Sequence, residues 1–134
     1  MTETGCAGIL TTASDIKKSE KYAYESIGAV SPFIEVKIVD QSTGQTVSRN
    51  TDGEIFIRSR FLMKKYWGDP EKTAESIDEN GWFKTGDVAS MDEHGYVFFK
   101  SRAKEIIIRG GTNIYPVNFR FKNILKMKMH KFIV

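Results

Sequence analysis

The chain has 134 residues, of which 40% are hydrophobic and 28% charged, a composition typical of a globular protein that buries one core. The formal net charge of +3 is too small to imply a polyanionic partner, and one cysteine excludes an internal disulfide. No apolar run is long enough to span a membrane, and the first residues lack the features of a signal or transit peptide. We therefore expect an intracellular protein, with Cys6 as a small buried residue rather than a nucleophile.

The first half of the chain predicts two paired strands. Residues 1–14 are small and rich in threonine, which indicates a loop, and residues 15–26 are polar, which indicates an exposed loop or a short helix. Residues 33–40 alternate apolar and polar side chains, as a half-buried strand does. Residues 52–59 predict a second strand, entered through a turn at Asp52-Gly53. The two strands form a hairpin or lie side by side in an antiparallel sheet.

The second half predicts one helix and four more strands. Asp69 is a candidate N-cap with Pro70 at the first helical position, and the helix is predicted to run to about Asp78. The predicted strands are Trp82–Lys84, Val88–Met91, Tyr96–Lys100 and Glu105–Arg109. The fold class is therefore mainly β with short helices, an α+β arrangement.

Two short polar clusters contain residue types that suit a nucleotide. In Thr85-Gly86-Asp87 a glycine precedes an acid, whose two carboxylate oxygens match the vicinal hydroxyls of a ribose. In residues 101–104, Arg102 and Lys104 share one face of an extended segment and suit phosphate or ribose oxygens. Taken singly, each cluster favours a plainer role, as a self-stabilised turn or a solvated strand edge.

Two further stretches are suggestive in the same way. Gly110-Gly111 follows a β-branched run and permits close approach by a ligand, with a plain tight turn as the alternative. In residues 1–5, hydroxyls flank Glu3 and could contact phosphate and a hard cation such as Mg²⁺, which prefers oxygen ligands. For that pentapeptide in isolation, a disordered terminus is the favoured alternative.

The order of these segments is far more specific than any one of them. MTETG, DGEIFIRS, KKYWGDPEKTAESI and GWFKTGDVASMDEHGYVFFKSRAKEIIIRGGTNIYP follow one another along the chain. Over about residues 1–117 the chain resembles the adenylate-forming acyl-CoA synthetases, the family of AMP-dependent synthetases and ligases, and within it the medium-chain enzymes.

The resemblance implies a two-step reaction. ATP with Mg²⁺ activates a small-molecule carboxylic acid as acyl-AMP, and coenzyme A then displaces AMP to give a thioester. It implies that Thr2 contacts the AMP phosphate and Glu3 the Mg²⁺, while Asp87 and Arg102 bind the ribose.

The resemblance also implies roles for the residues that follow. Lys104 would be the hinge residue about which a small C-terminal domain rotates between the two half-reactions. Gly110 and Gly111 would line the path of coenzyme A, and Asn113 would lie near the adenylate.

The same resemblance implies a domain layout. Residues 1–100 would end the large AMP-binding domain, with a distorted antiparallel β-barrel subdomain from about residue 27. Residues 101–104 would form the hinge, and residues 105–117 the first hairpin of a truncated C-terminal domain.

The chain departs from the family pattern at several points. It begins inside the YG-x-TE motif, so the phosphate loop and most of the acyl pocket have no counterpart. Ser101 stands where glycine is usual, and the pattern ends after Val117, so the C-terminal lysine that assists adenylation is also missing. We therefore expect a largely inactive fragment of an acid–thiol ligase, whose parent enzyme could be mitochondrial. The alternatives are a non-catalytic nucleotide- or partner-binding module and a truncated gene product without its own function.

Residues 118–134 are an atypical basic tail without an acid. Its cations are Arg120, Lys122, Lys126, Lys128 and Lys131. Such a tail could bind a membrane surface or nucleic acid. The favoured interpretation is sequence appended at a splice or frame boundary, because Phe, Ile, Lys, Asn and Met are encoded by A/T-rich codons.

Overall fold

An antiparallel sheet dominates the chain. The computed structural model describes residues 1–5, 8–109 and 112–115. Within them, six strands follow the spatial order β1-β2-β6-β5-β4-β3, and β7 and β8 form a separate two-stranded sheet. The elements in chain order are β1 Ile9–Leu10, α1 Ala13–Lys18, β2 Gly28–Val30, β3 Ile34–Val39, β4 Gly53–Ser59, α2 Pro70–Ser76, β5 Phe83–Met91, β6 Tyr96–Arg102, β7 Ile107–Arg109 and β8 Thr112–Ile114. The predicted fold class, mainly β with short helices, is confirmed.

Strands β3 and β4 pair antiparallel along their whole length, as their alternation predicts. The register runs from Ile34 opposite Ser59 to Val39 opposite Glu54. In the turn that follows β3, the Asp40 carboxylate accepts from the backbone N–H groups of Ser42 and Thr43 at 2.8 and 2.9 Å. This side-chain-to-backbone bonding fixes the turn and with it the strand register.

The six-stranded sheet curls around one core, because strands near both of its edges contribute to a single cluster. The buried members are Ile34, Ile38, Ile55, Ile57, Ala89, Met91 and Val97, with Ile9, Val30, Val36 and Val47 packed against them. Ala89 and Val97, on the central strands, are completely buried. Burial of each large aliphatic side chain stabilises the fold by roughly 1.5–3 kcal/mol.

Helix α2 begins where its sequence predicts and ends earlier. Asp69 caps it by accepting from the N–H of Lys72 at 2.9 Å, with Pro70 in the first turn. The helix ends at Ser76 rather than at about Asp78. The Asp78 carboxylate instead accepts from the N–H groups of Asn80 and Trp82, both at 2.9 Å, and forms the turn that leads into β5.

Residues 1–14 contain regular structure where a loop is predicted, and residues 15–18 belong to a short helix, one of the two predicted alternatives. They contain a 3-10 turn at Thr2–Thr4, strand β1 and helix α1. A reciprocal capping box between Thr12 and Asp15 starts α1. Asp15 is buried and also accepts from the hydroxyl of Tyr96 on β6, which attaches the helix to the sheet.

Two strand predictions in the second half need correction. The two strands predicted at 82–84 and 88–91 are one strand, β5, which continues through the Thr85-Gly86-Asp87 segment. The strand predicted from Glu105 begins at Ile107, because residues Ala103–Glu105 form a 3-10 turn. The predicted hinge, residues 101–104, spans the end of β6 and this 3-10 turn. Cys6 and the basic tail lie outside the described residues.

The anchor at Asp15 predicts a specific response to acid. Hydrogen bonds from Tyr96 and then Thr12 lower the pKa of Asp15 from 3.8 to about 2. A folded-state pKa below the unfolded value stabilises the fold above the unfolded pKa, and this stabilisation is lost as the pH falls toward the folded value. The difference in melting temperature between wild type and Asp15→Asn should therefore shrink between about pH 4 and pH 2. Thermal circular dichroism measures it, with the exposed Glu93→Gln as control. A difference that stays constant over this range would contradict the anchor.

Candidate functional site

A bulge on β5 places the candidate residues. Glu54 pairs with Val88 and Phe56 pairs with Lys84, so β5 has more residues than β4 between these two points. The additional segment is Thr85-Gly86-Asp87, and Gly86 adopts a left-handed conformation with φ of +72°. The buried Thr85 hydroxyl donates to the carbonyl of Ile55 at 2.8 Å and accepts from the N–H of Asp87 at 3.1 Å. The bulge is therefore held from within.

Asp87 and Arg102 lie opposite each other on β5 and β6. Arg102 Nε is 2.8 Å from Asp87 Oδ1, and the side chains are 60% and 18% exposed, respectively. The contact is an ion pair without the alignment of a hydrogen bond. Among the described residues, the buried Oδ1 atom consequently has no hydrogen-bond donor. Buried acceptors normally have a donor, so the guanidinium 2.8 Å away is the group that compensates this oxygen.

Four effects set the charge state of Asp87. Burial raises its pKa above the ordinary value and the Arg102 guanidinium opposes that rise, while the carboxylate of Glu54 raises the pKa and the N-terminal ammonium of Met1 lowers it. The net direction is upward. Arg102 thus partly offsets the cost of burying this carboxylate.

A cleft of about 560 Å³ opens beside the bulge, and we call it the Gly86 cleft. It brings together four of the residues singled out in the sequence: Glu3, Gly86, Arg102 and Lys104. Asp87 is not among the lining residues, but it adjoins Gly86 and pairs with Arg102, which both line the cleft. The rest of the lining includes Glu54, Tyr66, Lys72, Glu75, Lys84 and Glu105. The mixed charges suit a polar ligand.

Glu3 is held at the Gly86 cleft by residues 63–66. The Tyr66 hydroxyl donates to Glu3 Oε1 at 3.3 Å, and the N–H of Met63 donates to the Glu3 carbonyl at 2.7 Å. The described residues contain no group of three or more His, Cys, Asp or Glu side chains that could hold a metal ion. A single carboxylate still fits Mg²⁺, which proteins commonly bind through one or two carboxylates together with substrate phosphates.

Lys104, which lines the Gly86 cleft, is exposed on the 3-10 turn after β6. The other sequence-predicted residues lie on separate elements. Thr2 is exposed on the first 3-10 turn. Asn113 lies on β8, opposite Ile108 of β7. Gly110 and Gly111 lie outside the described residues.

Sequence reasoning missed several residues of the Gly86 cleft. Glu54 is the most informative, because its Oε1 atom accepts from the N–H of Gly86 at 3.0 Å. Lys72 lies over the ring of Tyr66, with Nζ 4.4 Å from its centroid. Glu54 stands beside the predicted Asp52-Gly53 turn, but nothing in an alternating strand distinguishes it from a solvent-facing acid.

Comparison with known proteins identifies the family of this chain. A family model described as AMP-binding enzyme matches residues 1–67, half of the chain. This chain belongs to the AMP-binding enzyme family.

Members of this family are similar to the chain in both sequence and structure. The medium-chain acyl-CoA ligase ACSF2 of Bos taurus, named as mitochondrial, is 49% identical over 92 residues, or 69% of this chain and 15% of that protein. The unliganded o-succinylbenzoate coenzyme A synthetase of Bacillus subtilis superposes with a TM-score of 0.75 at 32% identity, covering 88% of this chain and 24% of that one. The amide bond synthetase McbA of Marinactinospora thermotolerans gives a TM-score of 0.64 at 41% identity, covering 68% and 18%. The chain thus spans about 15% of the length of the Bos taurus ligase.

No helix in the described part of the chain is both long and apolar enough to cross a membrane.

The electrostatics of the ion pair predict how Asp87 titrates. Removing the guanidinium in Arg102→Ala removes the larger of the two effects that lower the Asp87 pKa, while burial and Glu54 still raise it. The carboxyl pKa of Asp87, followed by carbon-13 NMR, should therefore be higher in Arg102→Ala than in wild type. Arg49→Ala, at an exposed position outside the Gly86 cleft, is the control and should leave it unchanged. An unchanged or lower Asp87 pKa in Arg102→Ala would show that the pair is absent in solution.

Proposed function

We propose that this chain is part of an acid–thiol ligase that activates a carboxylic acid with ATP as acyl-AMP and transfers the acyl group to coenzyme A. The observation that carries the proposal is the Asp87 carboxylate, an acceptor paired with Arg102 at 2.8 Å and adjacent to Gly86, two residues that line an open cleft. Such an acceptor suits the hydroxyl groups of a ribose, and an ionised carboxylate accepts from both at once. Arg102, more than half exposed, remains able to contact sugar oxygens from the cleft side.

The nucleotide phosphate and its metal ion would bind near Glu3, which lines the Gly86 cleft. Thr2 would contact the AMP phosphate, and Glu3 would be one oxygen ligand of Mg²⁺. When bound there, Mg²⁺ would neutralise phosphate charge. What the chain itself contributes is a carboxylate fixed by Tyr66.

The residues after β6 carry the proposed change between half-reactions. Lys104 would be the hinge residue, at the point where the six-stranded sheet ends and the β7–β8 sheet begins. Residues 1–100 would then complete a large domain, and residues 105–117 would begin a small one. Gly110 and Gly111 would line the path of coenzyme A, with Asn113 near the adenylate.

A medium-chain fatty acid is the proposed substrate class, and a mitochondrial enzyme is the proposed parent. Both rest on the 49% identity to a relative named as a mitochondrial medium-chain acyl-CoA ligase. The group that receives the acyl chain differs among the similar proteins, since one of them is named an amide bond synthetase. Coenzyme A is proposed because two of the similar proteins carry it in their names.

The ribose site predicts how AMP binds to this chain. AMP should shift the amide signals of Gly86, Asp87 and Arg102, and Asp87→Asn should weaken binding about tenfold or more, as losing hydrogen bonds to a charged acceptor does. Adenosine should show the same dependence, because the recognised hydroxyls lie on the sugar. NMR titration provides the affinities, with Glu93→Gln as the matched loss of one charge at an exposed turn. Equal affinities of wild type and Asp87→Asn for AMP would show that the ribose does not bind at Asp87.

The isolated chain should not catalyse the ligase reaction. Catalysis requires groups from several parts of the protein in one geometry, and this chain spans about 15% of the curated relative. We therefore expect AMP release from ATP, octanoate and coenzyme A to stay at background. Release well above background that Asp87→Ala abolishes would contradict this expectation.

A further inference from the structure

We propose that Glu54 is a positioning residue for the ribose site, because its carboxylate accepts from the N–H of Gly86 and thereby fixes the segment that carries Asp87. The inference rests on the proposed function for its ligand, the vicinal diol of a ribose. It rests on the ligand-free structure for its geometry.

The contact compensates for a gap in the strand ladder. Thr85, Gly86 and Asp87 have no partner in the register of β4 with β5, because the ladder passes from Val88 directly to Lys84. With φ of +72°, Gly86 directs its N–H to Glu54 Oε1 at 3.0 Å. Without this contact, the Gly86 N–H would depend on water for an acceptor. The side chain of Glu54 on the neighbouring strand supplies that acceptor instead.

Glu54 is itself held at both oxygens. Its Oε2 atom accepts from the side-chain amide of Gln41 at 3.1 Å, while Oε1 accepts from Gly86. Gln41 lies in the turn after β3, so the chain Gln41–Glu54–Gly86 connects that turn through β4 to the bulge on β5. A carboxylate fixed at two points is a better support for a turn than a freely rotating one, since less side-chain entropy is lost when the contact forms.

The negative charge of Glu54 does not help Asp87 to ionise, so the role of Glu54 at this site is geometric. Its negative charge raises the pKa of Asp87 and so disfavours the ionised form that would accept two hydroxyls. The role of Glu54 is therefore assigned to the hydrogen bond that it accepts from Gly86.

Two substitutions separate geometry from charge. Glu54→Gln keeps an acceptor oxygen for Gly86 and removes the charge, and the exposed Gln41 amide can turn over to present its own oxygen to the new amide. Glu54→Ala removes both acceptor and charge. Should Glu54→Ala fail to fold, Glu54→Asp replaces it, because a side chain shorter by one methylene keeps the charge but withdraws the acceptor.

The test is NMR titration with AMP and with 2′,3′-dideoxy-AMP. Glu54→Ala should weaken AMP binding about tenfold, the loss expected from misplacing a charged hydrogen-bond acceptor, and Glu54→Gln should stay within about twofold of wild type. Dideoxy-AMP, which lacks the diol, should bind all three proteins equally. Wild-type affinity for AMP in Glu54→Ala would overturn the inference. So would equal losses in Glu54→Ala and Glu54→Gln, or an equal loss for dideoxy-AMP.

A ligand-free readout keeps this inference distinct from the proposed function. If the wild type binds no AMP, the proposed function fails, and exchange of the Gly86 amide proton with solvent then decides the role of Glu54. Faster exchange in Glu54→Ala but not in Glu54→Gln supports positioning, and equal exchange in all three proteins overturns it. The exposed Glu93→Ala is the control in both experiments.

Discussion

The candidate site depends on one irregularity, the bulge at Thr85-Gly86-Asp87 in the middle of β5. A regular strand would direct Asp87 according to the two-residue alternation of the sheet. In the bulge, three residues of β5 lie opposite the single residue Ile55, and Gly86 adopts a left-handed conformation. Three contacts hold it: Thr85 with Ile55, Gly86 with Glu54, and Asp87 with Arg102. Each uses a different neighbouring group, so the segment is fixed by β4 on one side and β6 on the other.

This arrangement places a carboxylate in a costly environment and satisfies it incompletely. Burial raises the pKa of Asp87, and Arg102 opposes that effect without forming an aligned hydrogen bond. A protein that used this ion pair only for stability would gain more from full alignment. Arg102, 2.8 Å away, also lines the Gly86 cleft, so a ligand that contacts its guanidinium would change how this carboxylate is compensated.

Much of the fold follows from local sequence, and the parts that do not depend on distant contacts. Strands β3 and β4 and the cap of α2 are predictable because alternation and the Asp69-Pro70 pair act over a few residues. The buried contact of Asp15 with Tyr96 joins residues 81 apart in the chain, so no local pattern reveals it. The continuity of β5 was missed for the opposite reason: Thr85-Gly86-Asp87 has the composition of a turn, yet the pairing on both sides carries the strand through it.

The site shows the same division. Asp87 and Arg102 could be singled out because their residue types and motif spacing are distinctive, and the turn between β5 and β6, where the N–H of Gly95 donates to the carbonyl of Asp92, brings their strands together. Glu54 could not, because its importance arises from a bulge on the neighbouring strand. Tyr66 and Lys72 likewise reach the Gly86 cleft through the packing of α2 and the segment before it.

A structure of the chain with bound AMP would test the central claim most directly. The account predicts that both ribose hydroxyls lie within hydrogen-bond distance of the Asp87 carboxylate, with Arg102 beside the sugar and the phosphate toward Glu3. An ordered nucleotide elsewhere on the chain, with the Asp87–Arg102 pair unchanged and Gly86 still bound to Glu54, would contradict it.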